Sequence, residues 1–152
     1  MTSVPDDARL AAWRNLLESH AFLTRALAAD LERETGLPLN WYDVLLQLDE
    51  ADGHRLRMQE LADRVLLSQS GLSRLVDRMV RAGLVQRAHC PSDRRGTFAA
   101  LTPEGKDELR RAAPVHLRGI QKHFGRHLAD ADVRALCAAL SRVLVPPPAA
   151  GC

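Results

Sequence analysis

Aromatic residues are scarce in this chain of 152: three Phe, two Trp and one Tyr make up 4% of it. With 46% hydrophobic residues, its core must be packed mainly from Leu, Val and Ala. Cysteine is equally sparse. Cys90, Cys137 and Cys152 are odd in number and form no CxxC pair, which excludes an even disulfide framework. No apolar run approaches the ~20 residues that span a bilayer, so no membrane partner is expected. The stretch from Met1 to Asp7 does not have the basic-then-apolar form of a signal peptide. A cytoplasmic chain with reduced thiols is therefore expected. Its length suits one globular subunit around one core.

The net charge of +2 is too small to identify a nucleic-acid binder, but its distribution is informative. Residues 1–53 hold 4 Arg against 10 acidic groups, whereas residues 54–96 hold 9 Arg against 4. Residues 97–152 hold 8 basic and 5 acidic groups. Every basic group of the middle part is arginine, the side chain suited to bidentate phosphate and guanine contacts. An acidic first third beside a basic middle suggests one face turned toward a polyanion and one turned away.

From about Asp7 to Thr35 the apolar positions follow a helical period: Leu10, Trp13, Leu17, His20, Thr24, Leu27 and Leu31, widened by Leu16 and Leu23. Gly36-Leu37-Pro38 ends the run. A helix this long in a small domain calls for a partner, and a second subunit is the economical one. Asn40, with Asp43 three residues on, is expected to cap a short helix carrying Val44, Leu45 and Leu48, stopped by Asp52-Gly53. A further helix is expected over 57–67. Thr102 caps and Pro103 opens a helix that should continue to about Leu128, kinked or broken at Pro114. Asp130 should cap a final helix bearing Val133, Leu136, Leu140 and Val143, and residues 146–152 should fray.

Between these parts lies the most informative stretch, Ser68 to Thr102. Residues 68–82 read as a helix whose inward stripe is Leu72, Leu75, Val76 and Met79, stopped by Gly83. Residues 84–89 run as a strand, turn through 90–96 and return from Thr97 to Thr102. With the helix before it, separated only by Leu66-Leu67-Ser68, this is the pattern of a winged helix-turn-helix meeting DNA. Ser68, Gln69, Ser70, Ser73 and Arg74 stand at the exposed start of the second helix, where base edges come within reach in the major groove. Gln can bond adenine bidentately and Arg can bond guanine, while Ser68 can equally serve as the helix cap. Arg78 and Arg81 fit phosphate contacts that position without specifying sequence. Arg94, at the tip of the wing 86–100, fits the narrow, electronegative minor groove, and Arg95 a neighbouring phosphate.

The chain resembles the MarR (multiple antibiotic resistance regulator) family of bacterial transcription factors over nearly its whole length. Three motifs carry the resemblance by their order and spacing. They are Leu75-Val76-Asp77-Arg78-Met79 with Gly83-Leu84-Val85, then Pro91-Ser92-Asp93-Arg94-Arg95-Gly96, then Leu101-Thr102-Pro103-Glu104-Gly105. The fold implied is mainly α with a small β-hairpin wing: a winged helix-turn-helix over 39–102, with dimerisation helices over 7–35 and 103–145. The family implies a homodimer that binds a pseudo-palindromic operator, most often as a repressor released by a small-molecule effector or by cysteine oxidation. By the same resemblance, Asp93 would form an ion pair that stabilises the wing. An effector pocket would lie between the dimerisation helices and the winged helix; Trp13, His20, Trp41 and Tyr42 are candidates to line it, with plain core as the alternative for aromatic residues on apolar stripes.

Other readings are weaker. His116, His123 and His127 can share one helix face, but no acid or cysteine at suitable spacing completes a metal site, so solvated or interface histidines are expected. No cofactor is implied, and no nucleophile–base set or phosphate-binding glycine loop points to an enzyme. Cys90 beside the wing offers a redox-sensing alternative, with Arg94 and Arg95 able to lower its pKa, although peroxide-sensing branches of the family carry their cysteine in the N-terminal helix. A winged helix that docks a protein partner is the other alternative.

Overall fold

In the computed structural model, Asp6 accepts a hydrogen bond from the Arg9 amide at 2.8 Å and starts helix α1, Asp7–Thr35. Gly36, at φ +73°, ends it in the left-handed conformation and donates its N–H to the Glu32 carbonyl. The structure describes residues 6–90 and 93–144, apart from the side chains of Cys90 and residues 93–95. The turn residues Pro91 and Ser92 and the tail 146–152 lie outside the described residues.

Helix α2, Leu39–Glu50, is opened by Pro38 and not by Asn40, which lies inside it. The Pro38 carbonyl accepts from the Trp41 and Tyr42 amides, so the helix begins without a side-chain cap. A three-residue strand β1, Arg55–Arg57, follows a short 3-10 turn at Asp52–His54. It is too short for a period of two to show in sequence.

Helix α3, Met58–Arg64, stops earlier than its apolar pattern suggests. The Val65 amide still reaches the Leu61 carbonyl, but Leu66 turns to φ +56°, a conformation that costs a bulky side chain energy and cannot continue a helix. Helix α4, Gln69–Arg81, begins at Ser68, whose Oγ accepts from the Gly71 amide at 3.1 Å. Gly83, at φ +77°, turns the chain out of it.

Strands β2, Val85–Cys90, and β3, Asp93–Leu101, are longer than the expected ribbon, because residues 93–96 belong to the returning strand and not to the turn. The sheet is antiparallel in the order β1-β3-β2, with Leu56 opposite Ala99 and Arg87 opposite the same residue on the other side. The register between β2 and β3 shifts between His89 and Cys90.

Helix α5, Pro103–His123, starts as expected: Thr102 Oγ accepts from the Gly105 amide at 3.0 Å, and proline takes the first position. It runs through Pro114 without a break and ends five residues short of the expected Leu128, giving way to a 3-10 turn at Gly125–His127. Helix α6, Asp130–Val143, is capped from within. Asp132, not Asp130, accepts the Ala129 amide at 2.9 Å, and Asp130 is the first helical residue.

Leu31, Leu37, Val44, Leu45, Leu48, Leu61, Leu72, Leu75, Val76, Met79, Leu109 and Ala112 form the core, joined by Leu56, Val85 and Ala99 from the sheet. Helix α1 splits into two halves. Leu31 and Asp30 are buried, while Trp13, Leu16, Leu17 and Phe22 are exposed. At Gly119 helix α5 lies close against α1, where an added Cβ would come within 2.9 Å of Leu27. No described helix is long and apolar enough to cross a membrane.

Beside that contact the two helices are joined by charge. Asp30 accepts from His123 Nε2 at 2.7 Å, Arg33 at 2.6 Å and Lys122 at 3.3 Å. The His123 bond above all, then Arg33, holds its carboxyl far below the usual carboxylate range. His123 is thus not a solvated group but part of an ion-pair cluster between α1 and α5. His116 also departs from the expected solvated state. Its ring lies 4.5 Å from that of Tyr42, its buried Nδ1 has no partner among the described residues, and burial lowers its pKa against the opposing pull of Asp43.

A lowered histidine pKa means that the unfolded chain binds more protons than the folded one below pH about 6.5. Stability carried by neutral His116 is therefore complete above that pH and is lost as pH falls through it. Denaturation midpoints measured from pH 7.5 to 5 should fall for the wild type and fall less for His116→Phe. Equal slopes would show that His116 does not titrate in this range.

Candidate nucleic-acid interface

Four apolar residues of α4, Leu72, Leu75, Val76 and Met79, are each no more than 1% exposed. Their spacing of three and four turns the rest of the helix outward. Ser70, Arg74, Arg78 and Arg81 are exposed on that outer side, and Gln69 is exposed at the first turn of the helix. Two of the residues assigned to DNA contact are engaged internally. The Ser68 hydroxyl caps α4 and lies 3.3 Å from that of Ser70. The half-buried Ser73 is held by Arg87.

Arg87 is the residue that sequence reasoning missed. From strand β2 its Nη2 donates to Asp77 Oδ1 at 2.8 Å, to Ser73 Oγ at 3.0 Å and to the Ser73 carbonyl at 3.3 Å. Asp77 is the single carboxylate of α4. Its charge would repel a polyanion brought to that helix, and Arg87 neutralises it while tying wing to helix. One signal was available in sequence: Arg87 lies two residues after the buried Val85 on one strand, and so on the inward face.

Between α3, α4 and the wing lies a cleft of about 380 Å³ lined by Arg57, Met58, Gln59, Gln69, Ser73, Arg87, Gly96 and Thr97. Among the described residues no acidic side chain lines it. On the outer face of the sheet, the guanidinium carbons of Arg55 and Arg57 lie 5.4 and 5.3 Å from the Phe98 ring centre. The side chains of Asp93, Arg94, Arg95 and Cys90, assigned to wing stabilisation, DNA contact and redox sensing, lie outside the described residues.

The four residues assigned to an effector pocket do not converge within one chain. Tyr42 is 3% exposed and belongs to the core, and Trp41 packs against that core. Trp13 and His20 are exposed on the free half of α1. A second cleft, of about 390 Å³, opens between α1 and α5 beside Asp30, Arg118 and Lys122, and none of the four lines it. Among the described residues no group of three or more His, Cys, Asp or Glu is placed to hold a metal ion.

Two short helices joined by a tight turn, the second exposed along one face and followed by a β-ribbon, make a winged helix-turn-helix. Sequence and structure comparisons narrow this class. The model of the MarR family matches residues 35–96. The chain is 40% identical to AbsC, a MarR family transcriptional regulator from Streptomyces coelicolor, with 93% of this chain and 95% of that one covered and a TM-score of 0.83. It is 34% identical to Sco3205, another MarR family transcriptional regulator of that organism, whose structure is in complex with DNA, covering 99% and 96% of the two chains with a TM-score of 0.84. It is 31% identical over 104 residues to the HTH-type transcriptional repressor YetL of Bacillus subtilis, spanning 66% of this chain but only 62% of that protein. The chain belongs to the MarR family and is a transcriptional regulator, not an enzyme.

Because the Asp77–Arg87 pair is half-exposed, it should contribute little to global stability, about 0–1 kcal/mol. Its effect should be local. Arg87→Ala should leave the denaturation midpoint nearly unchanged while quickening amide exchange along β2. A midpoint loss equivalent to more than about 3 kcal/mol would instead make Arg87 part of the structural core.

Proposed function

We propose that this regulator binds duplex DNA as a homodimer, with helix 68–82 of each subunit in a major groove and wing 86–100 in the adjacent minor groove. It represses transcription until a small-molecule effector releases it, and it acts in the cytoplasm. The observation that carries this reading is the outward face of α4, where Ser70, Arg74 and Arg78 are exposed, with Gln69 exposed at its first turn and the Asp77 carboxylate paired with Arg87. Gln69 and Arg74 read base edges, Arg78 and Arg95 meet phosphate, Arg94 enters the minor groove, and Asp93 shapes the wing. Support comes from the DNA complex of Sco3205, and YetL, named a repressor, favours repression.

Dimerisation rests on a different observation. Trp13, Leu16, Leu17 and Phe22 of α1, Leu117 and Ile120 of α5 and Val133 of α6 are exposed apolar groups on the terminal helices 7–35 and 103–145. Apolar surface of this kind on a soluble domain marks an interface. Two winged helices so joined address half-sites about one helical turn apart. An effector bound between the terminal helices and the winged helix would act by changing their relative angle.

The test is fluorescence anisotropy across a salt series, with DNA from the gene's own upstream region and a scrambled control. Preference for the upstream DNA, weakening steeply with salt, is expected. Arg94→Ala should weaken binding to all sequences, and Gln69→Ala or Arg74→Ala should change base preference by about 1–3 kcal/mol at one position. Equal, weak binding to both duplexes would count against the reading. Removal of residues 1–20 should yield a monomer of poor affinity, checked by sedimentation. A fully active truncated dimer would sink the interface assignment.

A further inference from the structure

The motif Leu101-Thr102-Pro103-Glu104-Gly105 starts α5, yet its contacts reach the end of α4. Thr102 Oγ accepts from the Gly105 amide at 3.0 Å and donates its own proton to the Gly83 carbonyl at 2.7 Å. The Thr102 amide donates to the Leu84 carbonyl at 3.2 Å, and the Leu84 amide donates to the Met79 carbonyl at 3.0 Å, inside the last turns of α4. One threonine therefore closes the start of α5 and ties it to the chain leaving α4.

Gly105 makes that tie close. A Cβ at this buried position would stand 2.1 Å from the Leu84 carbonyl oxygen and 2.9 Å from Leu101 Cδ1. The first obstacle is backbone, which cannot swing aside as a side chain would. Glycine is required here by space, since its φ lies outside the left-handed region. Any larger residue must push the first turn of α5 away from the exit of α4.

We propose that Thr102 and Gly105 are positioning residues that set the angle of α4 against α5 without touching DNA. The Asp77–Arg87 bond extends the same rigid unit from α4 into the wing. In a dimer held through α5, this angle fixes the separation of the two recognition helices and so the half-site spacing that they accept. That consequence rests on the DNA-binding dimer proposed above, whereas the joint itself can be read without DNA.

Two measurements test it on the full chain, using Thr102→Val, Thr102→Ser and Gly105→Ala. In the free protein, Thr102→Val should quicken amide exchange at Ala82 and Gly83 roughly tenfold, although their acceptors, the Arg78 and Val80 carbonyls, are untouched. Thr102→Ser, which keeps the hydroxyl, should exchange as the wild type does. Unchanged Ala82 and Gly83 exchange in Thr102→Val would overturn the joint. The second probe is a duplex selected by the wild-type protein from a random pool, compared with the same duplex lengthened by one base pair between half-sites. The wild-type preference for the selected spacing should shrink roughly tenfold in Thr102→Val and Gly105→Ala and persist in Thr102→Ser. Affinity lost equally at both spacings would make Thr102 a stabilising cap only and overturn the proposal. A wild-type protein that selects no DNA would overturn the DNA reading, while the exchange result still decides the joint.

Discussion

The burial of Leu72, Leu75, Val76 and Met79 is the constraint on which the rest of the molecule depends. Removing a leucine-sized side chain from water stabilises by about 1.5–3 kcal/mol, so four on one stripe hold α4 in a single rotation about its own axis. That rotation decides which of its polar residues face outward. Gln69, Ser70, Arg74 and Arg78 are exposed because the alternative would bury guanidinium and amide groups without partners. The outer surface of α4 is thus a consequence of core packing.

Charge is arranged around that surface in two ways. Arg87 cancels the single carboxylate of α4 and at the same time fixes the wing to it. Between α1 and α5, the buried Asp30 is satisfied by His123, Arg33 and Lys122, and the exposed Glu34 pairs with Arg118 at 2.9 Å. The acidic first third of the chain is therefore partly spent on joining α1 to α5. What remains on the winged helix is arginine-rich and accessible, the condition under which phosphates are attracted and not repelled.

Much of the architecture was legible where it depends on neighbours within a few residues. The bounds of α1, the Ser68 cap, the left-handed Gly83 and the Thr102-Pro103 start all follow from local backbone chemistry. The failures are as instructive. Asn40 looked like a cap, but Pro38 already set the entry geometry of α2. The apolar run past Arg64 looked helical, but the turn between α3 and α4 imposes a positive φ on Leu66, a choice made by how two helices must cross.

The sequence by itself determined the periods of the helices, the Ser68 and Thr102 caps and the polarity of α4, since each is set by contacts within one or two turns. It also carried enough ordered motif to identify the family. Only the tertiary structure decided that Arg87 meets Asp77, that His123 meets Asp30, and that Gly105 lies against the Leu84 carbonyl. Those contacts join segments 10 to 93 residues apart, and no period along the chain encodes them. They exist because packing the apolar stripes brings the elements together, after which each charged or hydrogen-bonding group must find its partner among whatever neighbours that packing supplies.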